Sequence, residues 1–403
     1  MTSSIALTRR GLLFGLGGAL LSAQQPKPKV AAIITEFRHR SHADVIGTRI
    51  LDGYYPNGVR QDPRTQIVSM YTAQVPIDDM SRGLASRRPF KIYPTIAEAL
   101  TLGGNDLAVD AVLLIGEHGN YPENSRGQKM YPRYELFEEI VKVFRKSGRS
   151  LPLFNDKHLS YSWEKAKQMY DWSGELKIPF MAGSSIPVTV RTPELEIPYG
   201  AKIRRAVQTG YGPLDAYGFH TLESMQCMLE RRAGGETGIA SVEMIEGDGV
   251  WQWRDSEAGK WSQPLLNAAL ATNPHLPKGP PEQHCEQPAL FVLKYRDGLE
   301  AVAYMLNKYV FRWDFAAEVD GQVRATHFGQ VPVRRDLAHF DGLTHCIEEL
   351  FVTGEPVYPV ERTLLTTGAL ALLFESRERK GLVETPQLAV QYKAPRDTYF
   401  QRS

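Results

Sequence analysis

Four polar residues, Asn155-Asp156-Lys157-His158, follow the short apolar run 151–154. In open α/β sheets the carboxyl ends of the strands form the ligand crevice, so polar groups at a strand end are candidates for binding or catalysis. A partly desolvated lysine has a lowered pKa and can transfer a proton. We therefore predict that Lys157 is catalytic and that Asp156 holds it. The alternative is a surface lysine in an ordinary turn.

A second strand end carries similar chemistry. Glu117 and His118 directly follow the apolar run 109–116 and precede a long loop. If the strands are neighbours, these two side chains share one crevice with Asp156 and His158. Histidines and carboxylates can also bind a divalent metal. The spacing points to no particular metal, so we favour polar contacts with a ligand and predict no metal site.

His220 is the third candidate, because it lies in "GYGPLDAYGFHTLESMQCML" just before a helical pattern. An imidazole titrates near neutral pH, which suits a general base. We predict that His220 is catalytic together with Lys157. The alternative is a histidine that packs in the core or caps the helix.

The elements that must position these residues alternate between strand and helix from residue 28 to residue 185. Unbroken apolar runs such as "VAAII" and "AVLLI" are separated by amphipathic segments such as "RYELFEEIVKVFRKSG". This alternation predicts βαβ units and a doubly wound parallel sheet. Strands buried on both faces read as continuous apolar runs, as these do.

The chain from 186 to 403 has longer, partly alternating strands with three helices among them. Asp297-Gly298 separates two of the strands and predicts a hairpin. The stretch "ASVEMIEGDGVWQW" is assigned to a strand, and Trp251, Trp253 and Trp313 are assigned to the core. The fold class is therefore α/β: an N-terminal Rossmann-like sheet plus a C-terminal α/β domain with an open, mainly antiparallel sheet.

The first 27 residues differ from the rest. "LTRRGLLFG" places Arg9-Arg10 before the apolar run 11–21, and small residues follow. That order is typical of an export signal, and the arginine pair resembles the twin-arginine (Tat) type. We predict a signal and linker over 1–27, bacterial export to the periplasm by the Tat machinery, and no stable membrane span after cleavage.

Composition excludes some classes of partner. The 403 residues have a formal net charge of +1, and 23% are charged. A nucleic-acid-binding surface would need a basic excess, so no nucleic-acid partner is predicted. The three cysteines, Cys227, Cys285 and Cys346, form no CxxC pair, which argues against a zinc knuckle or a disulfide framework.

The order of elements resembles the Gfo/Idh/MocA family of glucose–fructose oxidoreductase and inositol dehydrogenase over residues 30–392. The family has a Glu-Lys-Pro tripeptide after the fifth strand, where this chain has Asp156-Lys157-His158. It also has an Asp-x-x-x-His motif, where this chain has His220 but Ala216 in place of the aspartate. Asp215 is one step away, and Tyr211 or Tyr217 could substitute.

The resemblance implies a Rossmann domain (28–185), a substrate and oligomerisation domain (186–403), and tightly bound NAD or NADP. It also implies a carbohydrate substrate, hydride transfer with Lys157 beside the nicotinamide, His220 as the base, and homo-oligomers built through the open sheet face. The residues expected to bind the cofactor are Thr35, Arg38, His39, Ser41, His42, Glu117, His118 and Asp156.

The first turn departs from the family pattern. It reads Glu36–Ala43 and has no glycine, whereas a Rossmann turn uses GxGxxG to approach the pyrophosphate. Arginine and histidine here could bind phosphate by charge instead. The second strand also ends in Tyr71-Thr72, without the acid that grips an adenosine ribose.

Two other functions therefore stay open. One is a lyase, epimerase or hydrolase acting on oxidised sugars without nucleotide, and the other is a carbohydrate-binding protein without catalysis. Bound nucleotide would favour the oxidoreductase, a chelation-sensitive activity would favour the second function, and ligand binding without turnover would favour the third.

Overall fold

A computed structural model describes residues 26–329 and 337–402 of the protein. The predicted export signal lies outside the described residues, apart from the last two positions of its linker. None of the helices in the described ranges has the length and apolar character needed to cross a membrane.

The first sheet has six parallel strands in the order β3-β2-β1-β4-β5-β6, which confirms the predicted doubly wound sheet. Its strands are β1 (Lys29–Ile34), β2 (Gln66–Thr72), β3 (Lys91–Ile92), β4 (Ala111–Ile115), β5 (Leu153–Asp156) and β6 (Phe180–Gly183). The helices that join them are α1 (His42–Asp52), α2 (Ser81–Ala85), α3 (Ile96–Thr101), α4 (Arg133–Ser147) and α5 (Trp163–Glu175). The strand order reverses between β1 and β4, where ligands bind in sheets of this kind.

The second sheet is mixed and mainly antiparallel, with β11 and β8 as a parallel pair. Its strands are β7 (Arg191–Thr192), β8 (Ile203–Gly210), β9 (Ile239–Glu246), β10 (Ala289–Tyr295), β11 (Glu300–Met305), β12 (Trp313–Val319), β13 (Gln322–Phe328) and β14 (Val383–Glu384). Asp297-Gly298 forms the predicted hairpin turn between β10 and β11. The predicted fold class is confirmed.

Helices cover both faces of the second sheet. On one face α6 (Leu214–Leu229) packs beside α10 (Val360–Arg379), and on the other lie α7 (Gly249–Asp255) and α8 (Ser262–Leu270). The strand assignment of "VWQW" is wrong, because Trp251 and Trp253 belong to α7. An apolar cluster joins α8 to β8, β11 and β12, so part of the face expected to carry oligomer contacts is covered by the chain itself.

Helix α9 (Phe340–Thr353) packs against the first sheet although it comes late in the chain. Arg49 of α1 pairs with Asp341 of α9 at 2.7 Å, and both side chains are buried. The predicted domain boundary at residues 185 and 186 falls just after β6, and α9 brings the chain back across it. The first core therefore depends on a segment from the C-terminal half.

Candidate functional site

A cavity of about 440 Å³ lies between the carboxyl edge of the first sheet and the α6–β12 side of the second. Lys157, just after β5 of the first sheet, and His220, on α6 beside the second sheet, both line it. Three further predicted residues, His42, Glu117 and His118, line the same cavity. The other five, Thr35, Arg38, His39, Ser41 and Asp156, are not part of its lining.

Lys157 is held by Glu117, and this corrects the prediction that Asp156 holds it. The Nζ atom of Lys157 lies 3.2 Å from Glu117 Oε1, and the lysine side chain is 4% exposed. The other Glu117 oxygen pairs with the buried Arg133. Burial by itself would raise the pKa of Glu117, but Lys157 and Arg133 hold it well below its ordinary value. Glu117 is therefore an ionised anchor for the lysine.

The backbone also fixes the lysine. Lys157 has a φ of 66°, in the left-handed region that side-chain-bearing residues rarely adopt. Its N–H donates to Gly183 O at 2.9 Å, which ties the turn after β5 to the end of β6. Such a conformation persists when the surrounding structure over-determines it, and it is common at functional sites.

Asp156 instead orients His42. The His42 Nδ1 and Asp156 Oδ2 atoms are 2.6 Å apart, and the carboxylate is fully buried. A carboxylate only accepts, so Nδ1 carries the proton and the Nε2 atom of a neutral ring is left as an acceptor. The ring packs edge-on to His118 and Phe340, with centroids 5.2 and 5.0 Å away. His42 is thus a fixed imidazole on the cavity wall.

His118 and His220 are neutral imidazoles. Burial is the main cause that lowers the pKa of His118 to about 4, and the nearby His42 lowers it further. Burial is also the main cause that holds the pKa of His220 well below its ordinary value, and Lys157 and His42 add to this effect. The buried His118 Nε2 and His220 Nδ1 atoms have no hydrogen-bond partner within the described ranges. Such atoms are available to a polar ligand.

Asp215, one step from the position of the family's motif aspartate, contacts a loop rather than His220. Asp215 accepts the backbone N–H of Lys129 at 2.9 Å and fixes the long loop after β4. Burial raises the pKa of its carboxyl. Tyr217, which the sequence offered as a substitute, packs edge-on to His220 with centroids 5.7 Å apart.

The glycine-free turn after β1 uses its polar groups internally. Ser41 caps α1 by accepting the Asp44 N–H at 3.2 Å, and Asp44 Oδ2 accepts the Arg40 N–H at 2.8 Å. Arg38 pairs with Glu36, and His39 has a largely exposed side chain. The amides that an anion would use at this helix N-terminus are in part already bonded to the chain's own side chains.

Thr35 and Phe37 are structural residues of this turn. The Thr35 hydroxyl donates to the carbonyl of Glu117 at 2.6 Å, so it joins the ends of β1 and β4. Phe37 is 1% exposed and packs in the core between the first sheet and α1. A bulky side chain in place of a Rossmann glycine is therefore accommodated by turning inward.

A bridge of two hydrogen bonds crosses the end of β1. The Gln74 side chain, after β2, donates to Asn120 O at 3.1 Å and accepts from Asn120 N at 2.9 Å. Asn120 follows β4, and β1 lies between these two strands. The bridge lies at the carboxyl edge on the β2 side of the sheet, where an adenosine lies in a Rossmann sheet.

Aromatic residues form the far wall, a role that the sequence did not indicate for Tyr211, Tyr217 or Trp313. Trp313, assigned to the core, lines the cavity and stacks with Tyr217 at a centroid distance of 5.9 Å. Tyr211 contacts Trp313 at 5.0 Å, and Phe311 is 64% exposed at the edge. Sugars present an apolar ring face to such walls. The one sequence signal was the cluster "FRWDF".

The described residues contain no group of three or more His, Cys, Asp and Glu arranged to hold a metal ion. His158, one of the four side chains considered for this role, instead contacts Arg133 at 3.2 Å.

Glu223, one turn after His220 on α6, connects the two sheets beneath the cavity. Its carboxyl accepts the Ser184 N–H at 2.7 Å and lies 2.9 Å from the Thr363 hydroxyl. That hydroxyl also lies 2.7 Å from Ala182 O, and its single proton cannot serve both acceptors. A protonated Glu223 that donates to Thr363 satisfies all three groups. Burial raises the pKa of Glu223 to about 7, which agrees.

Glu223→Gln is expected to change how stability depends on pH. The raised pKa means that the folded chain keeps a proton that the unfolded chain releases above its ordinary value of 4.5. The free energy of unfolding of the wild type should therefore fall by on the order of 3 kcal/mol between about pH 4.5 and about pH 7. Above pH 7 it should stay level. Glutamine mimics the protonated acid at every pH.

Urea unfolding at pH 5 and pH 8 measures this. The Glu223→Gln protein should match wild type at pH 5 and exceed it at pH 8. The matched control is Glu384→Gln, at an exposed position on β14. A difference between wild type and variant that is the same at both pH values would show that Glu223 is ionised throughout.

No protein-family model matches this chain, and no curated protein matches it. Solved structures do match. GenD2 from gentamicin A biosynthesis, solved in complex with NAD, has a TM-score of 0.57 at 13% identity, over 94% of this chain and 99% of that one.

Two further structures match at similar levels. Scyllo-inositol dehydrogenase from Lactobacillus casei, with NAD(H) and scyllo-inositol, has a TM-score of 0.53 at 10% identity, over 89% and 99% of the two chains. Biliverdin reductase from Synechocystis, with biliverdin and NADP+, has a TM-score of 0.50 at 14% identity, over 87% and 98%. At these identities the likeness establishes the two-sheet fold alone.

Proposed function

We propose that the protein is a divergent oxidoreductase of the Gfo/Idh/MocA type that transfers hydride between NAD(P) and a sugar or polyol. The observation that carries the proposal is the meeting of Lys157 and His220 in one cavity at the carboxyl edge of a 3-2-1-4-5-6 sheet. Proteins of the same fold, an inositol dehydrogenase among them, have been solved with NAD or NADP.

The cavity suits the nicotinamide half of such a cofactor. The unpartnered nitrogens of His118 and His220 can bond to its amide or ribose, and the ammonium of Lys157 lies on the same wall. When bound there, the cofactor accepts or supplies the hydride. Phosphate would have to compete with Glu36 for the charge of Arg38, because the turn has no glycine.

The residues of the chain handle the proton. Lys157 is positioned by Glu117 to bond the substrate oxygen and to exchange its proton as the carbon changes oxidation state. His220 is neutral, the form in which an imidazole can accept a proton, and it orients the same oxygen through a hydrogen bond. The wall of Tyr211, Tyr217 and Trp313 excludes water and covers the apolar face of the substrate ring.

Analysis of what co-purifies with the protein tests this proposal. Denatured protein should release NAD(H) or NADP(H), detected by absorbance and mass, and added sugars or polyols should change the absorbance at 340 nm. Protein that neither releases nor binds any nucleotide would contradict it.

Gln74→Ala is expected to strengthen nucleotide binding about fivefold, because two partly exposed hydrogen bonds that close the adenosine side are removed. Titration of NADH and NADPH fluorescence measures the change. Gln61→Ala, on the surface beyond α1, is the control. Unchanged affinity would mean that the bridge lies outside the cofactor groove.

A second function is favoured by the His42–Asp156 pair. A carboxylate-oriented imidazole on a cavity wall suits the general base that a lyase, epimerase or hydrolase acting on oxidised sugars needs, whereas the hydride transfer proposed above assigns proton transfer to Lys157. Assays with a set of sugars, polyols and sugar acids separate hydride transfer from this second function. Conversion of a sugar acid without nucleotide, lost in His42→Gln but retained in Gln74→Ala, would establish the second function.

Export by the Tat route to the periplasm, assembly into homo-oligomers and the domain limits 28–185 and 186–403 remain proposals. The pair Arg9-Arg10 supports the first. Expression with both arginines changed to lysine, followed by cell fractionation, tests it: the protein should stay in the cytoplasm. Light scattering of the mature chain tests the second.

A further inference from the structure

Arg312 lies on the cavity wall between Phe311 and Trp313, where β12 begins. None of the roles proposed above uses this guanidinium. Phe311 is exposed and Trp313 is buried, so Arg312 lies at the step between the mouth of the cavity and its interior.

The arginine is held by a chain of two hydrogen bonds. His327 Nδ1 lies 2.7 Å from the carbonyl of Thr272, and a carbonyl can only accept, so Nδ1 carries the proton. Burial lowers the pKa of His327, so the ring is neutral and its Nε2 accepts. Arg312 Nη1 donates to this Nε2 at 3.1 Å. One edge of the guanidinium is therefore fixed by a neutral partner, which adds no negative charge to compensate it.

Carboxylates near Arg312 are engaged elsewhere. Asp314, two residues along β12, accepts from Thr209 at 3.0 Å and from Asn273 at 3.2 Å. Glu117 is the one carboxylate in the described lining of the cavity, and it already pairs with Lys157 and Arg133. Within residues 26–329 and 337–402, Arg312 forms no ion pair at 4.0 Å or less.

Among the described residues, the cavity lining therefore carries an excess of positive charge. Lys157 and Arg312 line it, and its one described carboxylate, Glu117, is already paired with Lys157 and Arg133. A guanidinium with a fixed edge has lost much of its conformational entropy before a ligand arrives and offers paired N–H donors that match a carboxylate or phosphate. The flanking aromatic side chains suit the apolar face of a sugar ring.

We propose that the substrate is an anionic sugar, and that Arg312 binds its carboxylate or phosphate while Phe311 and Trp313 contact the ring. This deepens the proposed function, on which it rests, by naming the substrate class. Arg312 is a specificity-determining residue, and His327 is the residue that positions it.

Calorimetric titration of the full mature chain tests the proposal with three matched probes: D-glucuronate, D-glucose 6-phosphate and D-glucose. These differ only at carbon 6, which is a carboxylate in glucuronate, bears a phosphate in glucose 6-phosphate and bears a hydroxyl in glucose. Wild type should bind at least one anionic probe ten times more tightly than glucose. The tighter anionic probe identifies which group the site takes.

Arg312→Gln should weaken the preferred anionic probe about 30-fold and change glucose binding less than threefold, since hydrogen bonds to charged groups are the stronger kind. Arg312→Lys should retain part of the affinity for the anionic probe, because lysine keeps the positive charge but lacks the planar pair of N–H donors. Arg324→Gln, an exposed arginine on the neighbouring β13, should bind like wild type.

Three results would overturn the proposal. They are equal binding of glucose and both anions by wild type, no binding of either anion, and equal losses for glucose and the anion in Arg312→Gln. NADPH fluorescence in the same samples separates this test from the proposed function. Selective anion binding without nucleotide binding would refute hydride transfer and leave the role of Arg312 standing.

Discussion

Lys157→Met is expected to lower kcat by about 10³-fold while nucleotide affinity stays within about threefold, as is typical for the loss of a positioned proton-transfer group. Methionine keeps the length and the apolar contacts of the lysine stem but cannot bond or protonate an oxygen. Glu117 keeps its second partner, Arg133, so the buried carboxylate is not stranded.

Steady-state rates with the best substrate of the sugar panel, together with fluorescence titration of the cofactor, measure this effect. The control is Lys202→Met, at an exposed position before β8. A variant that retains a tenth or more of wild-type kcat would mean that another group, such as His42, moves the proton. A variant that also loses the cofactor would show that Lys157 mainly binds.

Arg362→Met is expected to lower the free energy of unfolding by about 3–5 kcal/mol, because it strands a buried charge. Arg362 of α10 binds Glu230, just past the end of α6, through two hydrogen bonds of 2.8 and 2.5 Å. The Glu230 side chain is fully buried and that of Arg362 is 3% exposed. Tyr392 adds a third bond to the same carboxylate at 2.9 Å.

Urea unfolding measures this loss. The matched control is Arg377→Met, farther along the same helix, whose pair with Glu246 is about two-fifths exposed; its loss should cost about 0.5 kcal/mol or less. The double variant Glu230→Gln with Arg362→Met should recover part of the stability. If the single change cost no more than the control, water would have to reach the Glu230 carboxylate.

The candidate site was predictable to the extent that it depends on strand ends. Glu117, His118 and Lys157 lie where the unbroken apolar runs stop, and parallel strands bring such positions to one edge. His220 required the second sheet to close over the first, which the resemblance implied and the cavity shows. Arg312 was missed, and Tyr211, Tyr217 and Trp313 were given other roles, because residues of the second sheet's side of the cavity give no strand-end signal.

Partners were harder to predict than positions. Asp156 was expected to hold Lys157, its chain neighbour, but it bonds His42, 114 residues away, while Glu117 holds the lysine. Successive residues at a strand end point to opposite sides, so neighbours in sequence are poor candidates for a contact. Ser41 caps α1, and its predicted contact with the cofactor stays a prediction.

The local pattern of apolar and polar residues was enough to predict the two sheets, most of their helices and the polar edge of the first sheet. Ala111–Ile115 is specified by its unbroken apolar run, and Arg133–Ser147 by the helical period of its apolar side chains. Only the tertiary structure determined the partners of each ion pair. It also determined that α9 completes the first core and that Gln74 forms hydrogen bonds with Asn120. These outcomes depend on the distance and burial of groups far apart in the chain, which no local period encodes.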